Sequence, residues 1–302
     1  MSRLQRTIAQ IVRQFHCHGT HHHFAIDALP CVETPAGKRL VSWLIYHHRD
    51  YLRGAVDPDQ RFCDFHNHIL HVDDGYWGGA PRVAHQWYRR LQTHLRAERF
   101  RDAAHSAGVL SHYVTDMLQP LHTVSNDREA LVHQPLEWSI DQSYERIYRV
   151  WIEQKSEIVI QLSSHPAWLG SLMMHTAQHA HQYAEQLVRQ YSFAEGTRSA
   201  KAGLDNASIN CLAELFGLAI TSWARVIDRA ATEAENKMGY EFPRCKPFWA
   251  LPLATLRAPR QRWKRHVRAA RESLAIAELA RQYFRTGQLT TALPNEVDIK
   301  QR

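Results

Sequence analysis

Apolar residues recur every three or four positions over residues 3–15, 36–53, 80–98, 100–119, 139–162, 167–192, 206–237 and 260–286. That is the period of a helix face, and the strict alternation that marks a half-buried strand is scarce. Between these segments lie clusters of Pro, Gly and Asp: TPAG at 34–37, GAVDPD at 54–59, DDGYWGGAP at 73–81 and SNDRE at 125–129. Such clusters mark loops. The pattern predicts an all-α fold, a multi-helix bundle with its functional groups on helix ends and long loops. With 302 residues, 44% of them hydrophobic, the chain can bury a large core. After Gly239 the four prolines of YEFPRCKPFWALPLATLRAPRQ break the helical pattern. A helical domain over 1–245 is therefore expected, followed over 246–302 by a C-terminal helical extension: a Pro-rich connection, a basic amphipathic helix and a loose tail, LPNEVDIKQR.

One helix carries an anomaly. FRDAAHSAGVLSHYVTDML is apolar nearly all round after its first turn, which is the signature of a central helix, yet it contains His112 and Asp116. Residues four apart share a helix face, so these two side chains point the same way. Burying a carboxylate is costly unless it is neutralised, paired or bound to a cation. A metal ion would serve, and a hydrogen-bonded histidine–aspartate pair in the core is the structural alternative. Pro120 cannot continue the helix, which places Gln119 near its end and His122 in the loop beyond, able to fold back over the same face.

Further ligand-type residues flank this motif. GAVDPDQRFCDFHNHILHVDDG offers Asp57, Asp59, Asp64, His66, His68 and His71 around a turn, and LVHQPLEW repeats the four-residue spacing with His133 and Glu137. HCHGTHHHFAIDAL supplies five histidines near the start. The 21 histidines of the chain suit zinc, for which neutral imidazole is a common ligand. The five cysteines, Cys17, Cys31, Cys63, Cys211 and Cys245, show no CxxC spacing and suggest reduced thiols. His175, His179 and His181 read as a polar helix face, and HVDDGYWGG as a turn beside a cleft. Neither a GxSxG elbow nor a GxxxxGK(S/T) phosphate loop occurs.

Taken in order, these pieces resemble the bacterial zinc-dependent phospholipases C and their relatives, the three-zinc single-strand-specific nucleases. That family's pattern is an early histidine, an aspartate in a PD-like turn, a histidine shortly after, an HxxxD pair, a histidine following a proline, and a closing HxxxE or HxxxD pair. His23 stands for the early histidine, with His21 of the GTH triplet as the alternative. Asp59 of DPD, His68 of NHIL, then His112, Asp116 and His122 of SHYVTDMLQPLH follow, and His133 and Glu137 of HQPLE close the set. The resemblance spans residues 19–137 by motif and implies two to three zinc ions. Asp59, His68, His112 and Asp116 would hold the first; His122, His133 and Glu137 the second; His23 and Asp116 part of the third. In the family an N-terminal tryptophan completes that third site, and no Trp lies near Met1. His16, His18, His21 or His22 would have to substitute, or the third site would be weak or empty.

The resemblance thus implies a zinc-dependent phosphodiesterase of the phospholipase C type, with Asp59 as an assisting base. Glu137 favours the phospholipase branch, because the nucleases typically carry Asp there. A nuclease or nucleotidase is the alternative, and a metal-stapled interaction protein without catalysis is a third. The net charge of +7 would favour polyanions. Most of its concentration falls in RQRWKRHVRAARESLAIAELARQYFRT, where Arg260, Arg262, Lys264, Arg265, Arg268 and Arg271 crowd the start of the last helix. A solvated helix face is expected there, with peripheral contact to anionic membrane or nucleic acid as the alternative. The first residues lack the continuous apolar run of a secretory signal, and no stretch of about 20 apolar residues suggests a membrane span, so a cytoplasmic location is expected.

Overall fold

The computed structural model describes residues 1, 3–154, 158–246, 248, 255–256 and 258–287. Its helices are α1 (Arg3–His16), α2 (Thr20–Asp27), α3 (Pro35–Tyr46), α4 (His48–Gly54), α5 (Ala80–Arg96), α6 (Phe100–Asp116), α7 (Asp127–Gln154), α8 (Trp168–Gln190), α9 (Phe193–Arg198), α10 (Asn206–Met238) and α11 (Ala258–Thr286). Among the described residues there is no strand; one isolated bridge joins His71 and Trp77. The all-α reading is thus what the structure shows.

α10 is the axis of the molecule. Asp205 caps its start by accepting from Ser208 N at 2.7 Å, and Gly239, at φ 77°, ends it in the left-handed conformation that favours glycine. α3, α5, α6, α7 and α8 pack around it. By length and composition α10 could cross a membrane, but 72% of its most apolar window is buried inside this fold, as a core helix requires. Its Trp223 is fully buried and donates to Tyr51 Oη at 2.7 Å, and Tyr51 donates in turn to Ala25 O at 2.8 Å. That chain of bonds ties α10 to α4 and α2.

α4 and α6 cross at Gly54 and Gly108. A Cβ on Gly108 would stand 2.0 Å from Tyr51 O, and one on Gly54 2.2 Å from His105 O, so only glycine permits this approach. The close crossing holds the segment after α4 against the apolar, His- and Asp-bearing end of α6. The 3₁₀ turn Pro120–Thr123 then folds back over it, and its carbonyls accept from the loop that carries His68: Leu70 N to His122 O at 2.9 Å, Val72 N to Thr123 O at 3.0 Å.

Several boundaries differ from the periodicity. The segment 36–53 breaks at His47 into α3 and α4. The expected helix 139–162 begins at Asp127 and ends at Gln154. Asn126 Oδ1 accepts from Glu129 N at 2.9 Å and starts this helix upstream, so Pro135 lies inside it rather than before it. The helix expected to reach Gln119 stops at Asp116. α2 (Thr20–Asp27) lies outside the segments whose periodicity predicted a helix. Part of the Pro-rich connection, residues 247, 249–254 and 257, and the expected loose tail 293–302 lie outside the described residues.

Candidate metal centre

Asp116 ends α6 at the middle of the bundle with 2% of its surface exposed. Every ion-pair partner it has among the described residues is an imidazole: His68 at 3.0 Å, His112 at 3.2 Å, His21 at 3.4 Å and His122 at 3.6 Å. The helical i, i+4 geometry supplies His112; the pairing of the two loops supplies His68 and His122. Asp59, on the turn Pro58–Phe62, adds a carboxylate whose Oδ1 is 3.5 Å from His68 Nδ1 and 3.4 Å from His112 Nε2. His68 Nδ1 and His112 Nε2 are themselves 3.1 Å apart.

These separations can be compared with what a metal needs. Tetrahedral zinc, with bonds near 2.1 Å, places neighbouring donors about 3.4 Å apart. His68 Nδ1, His112 Nε2 and Asp116 Oδ2 stand 3.0 to 3.2 Å from one another, so they fit one ion, and Asp59 Oδ1 approaches the two imidazoles of that set at 3.4 and 3.5 Å. A second set lies alongside, with Glu137 Oε1 3.2 Å from both His122 Nε2 and His133 Nε2. Here too the sequence geometry is plain: His133 and Glu137 are four apart on α7. His122 joins the two sets, because its other nitrogen, Nδ1, faces Asp116 and is buried with no hydrogen-bond partner among the described residues. A third grouping consists of His21, Asp59 and His112. In all three groups the candidate ligand atoms lie within 4.8 Å of one another.

Most of the expected residues are therefore brought together; His23 is not. Two residues along a helix turn the side chain by about 200°, so His21 and His23 leave α2 on opposite sides. His21 stacks on His112 with ring centroids 3.8 Å apart, whereas His23 stacks on Tyr144 at 4.4 Å and borders a separate small pocket. Of the two candidates for the early position, His21 is the one that lies with the other donors. Partial burial, with the field of Lys38 and Arg6, lowers the pKa of the Met1 amine. Among the other histidines of that cluster, His22 hydrogen-bonds Leu52 O at 3.0 Å and His18 faces Gln261 at 3.0 Å, while His16 packs edge-on against His48. His179 and His181 pair instead with Glu214 and Asp73, in keeping with a polar helix face.

Orienting partners stand behind the cluster. Asp64 Oδ1 is 3.2 Å from His68 Nε2, Ala55 O accepts from His112 Nδ1 at 2.9 Å, and Glu129 bonds His133 Nδ1. Each leaves the opposite ring nitrogen facing the other donors, the arrangement that fixes a metal-binding imidazole. Asp64 and Glu129 were missed as orienting groups, though each stands four residues before its histidine. Tyr113 adds a bond to Asp64 Oδ2 at 2.8 Å.

The electrostatics favour a cation here. Burial opposes charge on His68, but bonds to Asp116 and Asp64 push its pKa up to about 10. Burial likewise opposes His133, yet the Glu137 charge and the bond to Glu129 raise it to about 10. Burial would raise Asp116 and Glu137, but the surrounding imidazoles hold both well below the usual carboxylate range. His21 behaves oppositely: burial, then the His112 charge, lowers it to about 4 and keeps the ring neutral, as a metal ligand must be. Burial opposes charge on His112 too, but Asp59 and Asp116 raise its pKa as well. The cage therefore attracts positive charge, and in the metal-free chain protons on these histidines, His68 and His133 foremost, supply it.

The cluster forms the floor of a cavity of about 450 Å³. Its walls are mainly apolar, with Phe65, Ile69, Trp138, Leu212, Phe216 and Ile276 prominent. The sequence foretold none of these walls, nor that Arg268 of α11, expected on a solvated helix face, borders the same cavity. A family model described as zinc dependent phospholipase C matches residues 20–185. No curated protein and no solved structure shows a significant match to the chain.

Proposed function

The chain belongs to the zinc-dependent phospholipase C family, and from that premise we propose that it hydrolyses phosphodiesters with an apolar arm, phospholipids above all, at a centre of two to three zinc ions. One observation carries the reading: the cage of imidazole and carboxylate donors opens onto an apolar-walled cavity. A phosphodiester anion bound at the floor would lay its apolar arm along Phe65, Trp138 and Phe216 and remove that surface from water. A nucleic-acid strand would want a groove of cations tracking its backbone, and this cavity is walled mainly by hydrocarbon.

His68, His112, Asp59 and Asp116 would hold one ion and His122, His133 and Glu137 the other, with His21 and Asp116 available to a third. Bound zinc supplies Lewis acidity and positive charge for the transfer of a phosphoryl group to water. The protein's own groups do the rest. Asp64, Ala55 O and Glu129 fix the ring orientations, so no reorganisation is needed as charge develops. Asp59 is the open carboxylate of its set, with its side chain 44% exposed. Its contacts to His68 and His112 run through Oδ1, which leaves Oδ2 to accept a proton from the attacking water. The apolar walls exclude bulk water and strengthen each of these interactions.

The test is a substrate panel offered to zinc-loaded protein: phosphatidylcholine, a chromogenic phosphodiester, single-stranded DNA and mononucleotides, with metal content measured in parallel. Hydrolysis of the lipid, abolished by Asp116→Asn, is the expected result. Cleavage of DNA with the lipid untouched would replace the reading with the nuclease one. A protein carrying two or more zinc equivalents and hydrolysing nothing would overturn catalysis altogether.

A further inference from the structure

The Arg-rich start of α11 behaves as expected at five of its six cations: Arg260, Arg262, Lys264, Arg265 and Arg271 are exposed. Arg268 departs from them. Its side chain is 36% exposed and turns inward, where it borders both the cavity above the donor cage and the small polar pocket beside it. No other Lys or Arg lines the main cavity among the described residues. We propose that Arg268 binds the phosphoryl group of the substrate, so that α11, outside the matched segment, supplies a working part of the site.

The placement is held from two sides. Glu272, one helical turn on, accepts from Arg268 Nε at 2.5 Å and aims the guanidinium. The two terminal nitrogens rest at the start of α2, 3.0 and 3.1 Å from where a Cβ on Gly19 would stand, so glycine there makes room for the fork. Thr20 and His21 follow immediately, which puts the guanidinium beside the segment that delivers His21 to the cage. Burial disfavours the charge of Arg268, but Glu272, Asp141 and Asp59 outweigh it and raise its pKa. The cation is permanent.

The chemistry calls for such a group. A phosphodiester carries a full negative charge into a cavity walled by hydrocarbon, and the floor beneath it already holds Asp59, Asp116 and Glu137. Ions held by those donors would supply positive charge at the floor; a phosphoryl group would still need a donor from the rim. A guanidinium offers two parallel N–H bonds to a phosphate, and Nε is already taken by Glu272, which leaves the terminal pair for the anion. Glu272 is accordingly a positioning residue, since it acts through Arg268.

This inference rests on the phosphodiesterase reading, and its test separates the two. Binding of inorganic phosphate to zinc-loaded protein is measured by calorimetry for wild type, Arg268→Gln, Arg268→Lys, Glu272→Gln and the exposed neighbour Arg271→Gln, together with zinc content and Tm. Arg268→Gln is expected to weaken phosphate binding about 10- to 100-fold with zinc content unchanged, Arg268→Lys less, and Arg271→Gln not at all. Glu272→Gln should fall between them. In turnover assays Arg268→Gln should raise KM and lower kcat. Wild-type phosphate affinity in Arg268→Gln overturns the proposal, and so does a loss of zinc that accompanies the loss of phosphate, which would make Arg268 a structural prop. If the wild type cleaves no phosphodiester yet binds phosphate through Arg268, the phosphate site stands and the hydrolase reading falls.

Discussion

Replacing Gly108 by Ala should loosen the metal cage from a distance, through the backbone. The new methyl would stand 2.0 Å from Tyr51 O and 2.8 Å from Ala55 N, where ordinary contact begins at 3.4 Å. Both neighbours are main chain of α4 and its exit, so no flexible side chain can swing away; the helices must part by about 1 Å. Overpacking of this kind costs about 1 to 3 kcal/mol, against a gain of about 1 kcal/mol from placing Ala rather than Gly in a helix. A net loss of about 2 kcal/mol is expected, because the obstructing atoms are rigid. The displaced segment includes Ala55, whose carbonyl accepts from His112 Nδ1 at 2.9 Å. Zinc affinity should therefore fall as well, by about 10-fold, the usual effect of losing an orienting partner. Urea unfolding of the metal-free protein reads the first effect and competition with a chromophoric chelator the second. Gly170→Ala is the control, since its Cβ would meet only His85 at 3.7 Å and should stabilise α8 by about 0.5 kcal/mol. If Gly108→Ala is as stable and as tight for zinc as Gly170→Ala, the crossing does not set the geometry of the cage.

Other outcomes follow from the same geometry. His21→Ala should lower zinc content or affinity while His23→Ala leaves both near wild type; the reverse would restore His23 to the centre. Asp64→Asn keeps the shape of the side chain but removes the charge behind His68, and should weaken zinc about 10-fold in the chelator assay. Zinc loading at pH 7 should release at least two protons, because His68 and His133 sit near pKa 10 without metal, His112 is raised as well, and all three must be neutral to bind it. Calorimetry in buffers of different ionisation enthalpy counts them, and no release would refute the raised values. Both pKa values lie above the unfolded value of about 6.5, so their contribution to metal-free stability is complete below that pH. Stability should decline as pH climbs from there toward 10, and melting curves across that window check the sign.

Short-range spacing made much of the cage legible. His112 with Asp116 and His133 with Glu137 are four apart on helices, and Pro120 announced that His122 would fold back, so local geometry alone paired them. His21 was confused with His23 because the histidine run offered no periodic neighbours from which to fix the phase of α2. The walls were illegible for a different reason. Leu212, Phe216, Arg268 and Ile276 reach the cavity only through long-range packing of α10 and α11, and no motif in the chain encodes that contact. The start of α7 was misplaced because Pro135 reads as a breaker, while the Asn126 cap that overrides it is a single residue.

The donors and most of the cavity's far wall have separate addresses in the chain. Every caged ligand lies between His21 and Glu137, while Leu212, Leu215, Phe216 and Ile276 come from two later helices. If the chain is the hydrolase proposed above, substitutions at those four positions would reshape which substrate arm fits without touching the candidate ligands or their orienting bonds. On the proposed reading, selectivity is therefore open to redesign apart from reactivity, and a library confined to those four positions, with Arg268 and Glu272 of α11 left intact, is the place to begin.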